Sequence, residues 1–286
     1  MRKDETQDHT SGQIPVPDRA FTHGGVFHAD DVFSAALLKY LNPQIRIVRG
    51  MQAPKEAGWL VFDIGGGAFD HHQADRRCRK DGTPYAAFGL LWEAFGTRIL
   101  CREDAERFDR EFVRSLDESD NTGVPHEIAA VIHDFNLTWE ECMEEQDRIF
   151  GELADAAVKI LERRFCHIRA DRSAYEQVRE QIRIQDGKVL CLERALPWKE
   201  AVAGTDILYV VYPSLRGGYS IQAVPVRTGS MELKKPFPES WRGKGREELA
   251  AVTGIQTLNF CHQSGFLCAA DTKEDAEETA RLAVTL

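Results

Sequence analysis

Between residues 21 and 123, apolar and polar positions alternate in short blocks whose period changes. Ile45-Arg46-Ile47-Val48 and Trp59-Leu60-Val61-Phe62 have the length and spacing of strands, whereas residues 32–38 and 86–95 carry their apolar side chains at helical spacing. A further apolar run leads into His23, so the order predicts β-α-β units around a parallel sheet. Asp30-Asp31 precede the helical block at 32–38 and mark a helix N-terminus, where carboxylates meet the positive end of the helix dipole. Asp63 is expected as the last residue of its strand, facing the crevice above the carboxyl ends of a parallel sheet.

From Thr138 the pattern predicts a long amphipathic helix through Leu161, continuing after a break to about Ile182. Beyond Asp186-Gly187 the texture turns to strands, near 189–192, 207–212, 219–226, and at Phe260 and 266–267, with a closing helix over 274–282. The expected fold class is α/β, a parallel-sheet domain followed by a smaller α+β C-terminal domain. Residues 1–20 read as a mobile tail, 21–185 as a first domain that includes the long helix, and 186–286 as a second domain.

A chain of 286 residues is long enough for two such domains. No apolar run approaches the roughly 20 residues that span a bilayer, so no membrane partner is expected. The seven cysteines, at 78, 101, 142, 166, 191, 261 and 268, contain no C-x-x-C pair and suit reduced thiols in a cytoplasm. A net charge of −10 argues against broad adhesion to nucleic acid but leaves room for a local basic groove.

The candidate chemistry lies in His23, His28 and Asp30, in Asp63, in Asp70-His71-His72, and in Asp120. Carboxylates and imidazoles without thiolates suit hard divalent ions such as manganese, magnesium or iron, and the inventory suffices for two ions that activate water. Adjacent histidines do not easily share one ion, so of His71 and His72 one is expected to ligate while the other faces substrate. Asp31 and Asp70 stand as ligands or as partners behind the ligands, and Asp117 reads as a solvated helix face. His9, His126, His133 and His167 lie outside any cluster. Gly65-Gly66-Gly67 lacks the lysine of a phosphate loop and reads as a tight turn presenting Asp70. The aspartates are too dispersed for an EF-hand calcium loop.

Thr22-His23-x-Gly25-x-Phe27-His28-Ala29-Asp30-Asp31, Asp63-Ile64-Gly65-Gly66, Phe69-Asp70-His71-His72-Gln73 and Asp117-x-x-Asp120-Asn121 together resemble the melanocyte-proliferating-gene family of the DHH phosphoesterase superfamily. The resemblance extends through Phe88-Gly89-Leu90-Leu91-Trp92 and Tyr209-Val210-Val211-Tyr212-Pro213 to Phe260-Cys261-His262. It implies that 21–185 is a DHH-type, metal-binding catalytic domain with two manganese or similar ions, closed over by a smaller substrate-binding domain at 186–286. It further implies one ion on His23, His28 and Asp63 and another on Asp30, Asp63, His71 and Asp120, with Asp63 bridging and His72 on the phosphate. The implied activity is metal-dependent phosphodiester hydrolysis, as a 3′-to-5′ RNA exonuclease using water activated by two metals. A small-molecule phosphohydrolase and a metal-binding interaction protein are the alternatives.

Residues 216–246 carry seven Lys and Arg against two Glu, an excess that suits phosphate. Arg227, Lys234, Lys235 and Arg242 are the candidate contacts to single-stranded RNA or a short oligonucleotide, with His262 and His72. Tyr219, Phe237 and Trp241 lie among them as candidate base-stacking rings, against a reading in which Trp241 is core. Oligomeric state is open, with a homodimer as one option.

Overall fold

The computed structural model describes residues 15–286, so His9 and most of the expected tail over 1–20 lie outside the described residues. The chain divides into two compact units between Ile168 and Arg169.

In the first unit β1 (Arg19–His23) runs between β2 (Arg46–Gly50) and β3 (Leu60–Val61), all three parallel. Arg19 and Ala20 therefore belong to the first strand. The helix α1 (Ala29–Leu41) crosses between β1 and β2, and every residue from Ala29 to Leu38 is buried. A helix apolar around most of its circumference must be enclosed. Here α2 (Ala87–Phe95) and the run of α3 (Arg102–Phe108), a π turn at Asp109–Val113 and α4 (Arg114–Thr122) help to enclose it. Phe33 of α1 meets Phe112 edge-on at 5.1 Å and Phe88 at 5.5 Å. The short helix α5 (Glu127–His133) follows.

One helix, α6 (Gln146–Ile184), then runs 39 residues without the expected break. It contains no proline, and its single Gly151 costs only about 1 kcal/mol. It begins at Gln146 rather than at Thr138, because Thr138 closes a local turn by donating its backbone N–H to the Glu141 carboxylate at 2.8 Å. The division between the two compact units falls inside α6. Phe165 and Ile168 join the first core, while Val178 joins a cluster with Leu190, Trp198 and Val210.

The second unit is a mixed sheet flanked by helices. In chain order it comprises β4 (Val189–Cys191), β5 (Tyr209–Pro213), β6 (Tyr219–Ala223), α7 (Arg246–Thr253), β7 (Leu258–Cys261), β8 (Leu267–Ala270) and α8 (Lys273–Thr285). The sheet order is β4-β5-β6-β8-β7, with only β4 and β5 parallel. The expected strand over 219–226 stops at Ala223. No helix among the described residues is long and apolar enough to cross a membrane.

Candidate metal centre

The parallel sheet brings its carboxyl ends to one edge, and the chemistry gathers there. His23 is the last residue of β1, whereas Asp63 lies two residues beyond β3 instead of ending it. Its φ of 58° is the left-handed conformation, the only one at a non-glycine among the described residues. Such a backbone is uncommon outside glycine, with Asp and Asn the best tolerated of the rest. The turn aims the two Asp63 oxygens in different directions. Oδ2 lies 3.1 Å from His23 Nε2 and Oδ1 lies 2.9 Å from His71 Nε2. Asp30 and Asp31 come from the first turn of α1, and Asp120 comes from α4.

Three groups of side chains place their donor atoms close enough to hold an ion: His23, His28 and Asp31; His28, Asp30 and Asp120; and Asp63, His71 and His72. His28 belongs to two of them. His71 Nε2 also lies 3.4 Å from Asp120 Oδ2 and 3.8 Å from Asp30 Oδ2. Asp31, read as a ligand or a partner behind the ligands, sits 2.8 Å from His23 Nε2 through its Oδ2.

Both oxygens of Asp30 are buried without a hydrogen-bond partner, as is Oδ1 of Asp31. Burying an ionised carboxylate unpaired costs several kcal/mol. Burial, compounded by the charges of Asp63, Asp120 and Asp31, holds Asp30 well above the usual carboxylate range. Asp31 is raised by burial too, against the opposing contact from His23. Asp63 behaves differently, because the hydrogen bonds from His23 and His71 outweigh its burial and bring it down to about 2. Hydrogen bonds from Asp31 and Asp63 push His23 up to about 10, and Asp63 likewise raises His71 against the effect of burial. A divalent cation meets both needs at once, satisfying the unpaired oxygens and taking the place of the imidazole protons. The donor set therefore fits a divalent ion.

Asp70 is occupied otherwise. One oxygen accepts from Gly66 N–H at 2.6 Å, and the other faces His72 Nδ1 at 2.9 Å and accepts the His72 backbone N–H. It joins none of the three groups, and it turns His72, whose side chain is 62% exposed, with Nε2 free of it. The glycine turn at 65–67 does present Asp70 as its sequence suggests.

Several side chains gain roles that the local sequence conceals. Asp117 is fully buried, not solvated, with Oδ2 2.7 Å from Arg79 Nη2 and Oδ1 accepting from Gly89 N–H at 3.0 Å. Asn121, one helical turn on, places Oδ1 3.3 Å from His71 Nδ1 and donates to the carbonyls of Tyr85 and Asp117. The spacing of Asp117, Asp120 and Asn121, three and four residues along a helix, was the available signal. His126 and His133, outside any cluster in sequence, line a cavity with His28 and Asp120.

The basic candidates of the second unit fare less uniformly. Lys234 Nζ donates to the carbonyls of Thr205 at 2.6 Å and Ile207 at 3.3 Å, Lys235 Nζ to Val284 at 2.8 Å, and Arg242 Nε to Phe237 at 2.8 Å. These cations tie the fold together. Phe237 and Trp241 are core side chains, closed to any base, whereas Arg227 is exposed and His262 is half-buried with Nδ1 2.9 Å from Ser264 Oγ.

Comparison with known proteins agrees with this frame. The MYG1 exonuclease of Homo sapiens is 28% identical over 94% of this chain and 86% of its own length, and that of Bos taurus 29% over 94% and 85%. A MYG1 protein of Chlamydia trachomatis is 28% identical over 94% of this chain and 97% of its own. The model of the MYG1 exonuclease family, described as Uncharacterised protein family (UPF0160), matches residues 19–284, and the chain belongs to that family.

Proposed function

We propose that this chain is a divalent-metal-dependent phosphodiesterase of the DHH superfamily that degrades single-stranded RNA from its 3′ end. The observation that carries the reading is Asp63, whose two oxygens face histidines on either side at 3.1 and 2.9 Å. The exonuclease name of the human and bovine relatives supports it.

In this reading His23, His28 and Asp63 hold one ion, Asp30, Asp63, His71 and Asp120 hold the other, and Asp31 supports the first. Bound there, divalent ions supply a water made nucleophilic at neutral pH and positive charge for the leaving oxygen. The protein's own part is positioning. Asp70 holds His72 at Nδ1, so that Nε2 is free to donate to a phosphate oxygen as negative charge builds there. Arg76 is exposed, has no side-chain partner among the described residues, and lines a cavity of about 320 Å³ shared with His71. It supplies a cation for the substrate's phosphates. Arg227 and His262 remain candidate RNA contacts in the second unit.

The test combines elemental analysis with hydrolysis of 5′-labelled single-stranded RNA in manganese. A ladder shortening from the 3′ end is expected. RNA left whole beside rapid turnover of small phosphate esters would point to a small-molecule phosphohydrolase instead.

A further inference from the structure

A cavity of about 860 Å³ adjoins the cluster on the side of His28 and Asp120, which line it. Its wall is mostly carbon, from Leu116, Val124, Pro125, Ala129 and Ala130, carried by the end of α4, the loop that follows and α5. Besides His28 and Asp120, four polar side chains interrupt the carbon: Ser119, His126, Glu127 and His133. His126 has both ring nitrogens engaged, one 3.2 Å from Ser115 Oγ and the other accepting from Ala129 N–H, and it is held below its ordinary value by burial. The side chains of Ser119 and His133 have no partner among the described residues. A concave, largely apolar wall with a few convergent polar groups is the usual form of a site for a flat organic ligand. Val124 is 50% exposed, so this apolar surface stands open to solvent.

We propose that this cavity is the nucleobase pocket for the nucleotide whose phosphate lies on the metal cluster, and so that base recognition resides in the first unit. The inference rests on the phosphodiesterase reading for its ligand but not for its geometry. His28 and Asp120 line the cavity and also belong to one group of donor atoms, so a phosphate held at that group has its nucleoside within reach of the α5 wall. The other flank of the cluster has Arg76 and Arg77 in its lining beside Tyr85 and Leu90, and those two cations suit the substrate's phosphates. A base transferred from water onto the carbon wall gains the hydrophobic contribution, whereas a sugar phosphate without a base cannot. His133 and Ser119 offer hydrogen bonds at the rim, which favours a heteroaromatic ring over a plain apolar one.

The experiment compares adenosine 5′-monophosphate, uridine 5′-monophosphate and ribose 5-phosphate by calorimetry on the manganese-loaded full chain. Both nucleotides should bind at least about tenfold more tightly than ribose 5-phosphate. Ala130→Phe, and independently Val124→Trp, fill the cavity from exposed positions away from the metal groups. Each should erase that difference while leaving metal content and ribose 5-phosphate affinity unchanged. Equal affinities for all three compounds in the unaltered protein, or a difference that survives both substitutions, would overturn the pocket. A base-dependent affinity without cleavage of any phosphodiester would leave the pocket standing and remove the exonuclease reading. RNA cleavage without base-dependent affinity would do the reverse.

Discussion

Asn121 sets its Oδ1 3.3 Å from Nδ1 of His71, and its own amide is fixed by the carbonyls of Tyr85 and Asp117. The acceptor fixes the proton on Nδ1 and leaves Nε2, 2.9 Å from Asp63, to ligate. Asn121→Ala should lower metal affinity by about 10- to 100-fold, with activity recovered at high metal concentration. Metal titration of the stripped variant checks this, and unchanged affinity would remove Asn121 from the site.

Asp63→Ala should lose both ions and all measurable hydrolysis while folding normally, because each of its oxygens serves a different histidine. His72→Ala should keep its metal and lose about 10²- to 10³-fold in rate, the usual loss for a donor to developing charge. Elemental analysis of the two purified variants separates the roles. Two ions retained in Asp63→Ala would refute the bridge.

A methyl group at Gly89 would sit 1.8 Å from Oδ2 of Asp117. Gly89→Ala must therefore push Asp117 away from Arg79, breaking a buried ion pair, at a cost on the order of 3 kcal/mol. Thermal melts should show a fall of several degrees, and metal affinity should fall with it because Asn121 leans on the Asp117 carbonyl. A melt unchanged within error would mean that the helices shift to accept the methyl.

The metal-free protein should lose stability as pH rises. His23 is held at about 10, above its ordinary 6.5, so the stabilisation from its bonds to Asp31 and Asp63 is complete below 6.5 and disappears as pH passes about 10. Asp30 and Asp31, both raised, act in the same direction. Chelator-treated protein should melt lower at roughly pH 9 than at roughly pH 6, and manganese should reverse the order, since ligands bind metal deprotonated. A stripped protein that gains stability over that range would contradict these protonation states.

Lys234→Glu should destabilise the second unit by about 1–3 kcal/mol, because it removes the donor to buried-side carbonyls at Thr205 and Ile207. Arg227→Glu, at an exposed position, should leave the melt unchanged and reduce the salt dependence of RNA binding by about one counterion. Measuring both variants by calorimetry and by RNA affinity against salt distinguishes scaffold from contact. A salt slope that changes only for Lys234→Glu would reverse the assignment.

What the sequence revealed was local. His23 at a strand end, the acidic first turn of α1 and the Asp70 turn all follow from residues within a few positions of one another. Hidden were the pairings across long separations, such as Arg79 with Asp117, or Asn121 with His71, which join the segment between β3 and α2 to α4. Charge alone could not assign 234, 235 and 242, since a cation that donates to carbonyls and one that binds phosphate look alike in a sequence. The Asp117, Asp120 and Asn121 spacing did mark one helix face, but it could not say which of the three would turn inward to a cation.

The left-handed backbone at Asp63 acts as a filter on what evolution or design can place there. Its φ of 58° admits glycine, asparagine and aspartate with least cost and resists branched or bulky residues. Of those three, only aspartate carries charge on both of its side-chain oxygens. Glutamate, the usual conservative exchange, has the charge but not the conformational preference, and its extra methylene moves the carboxylate away from where the two histidines meet it. Position 63 is thus selected twice, by torsion and by charge, and the alphabet open to it shrinks to one letter.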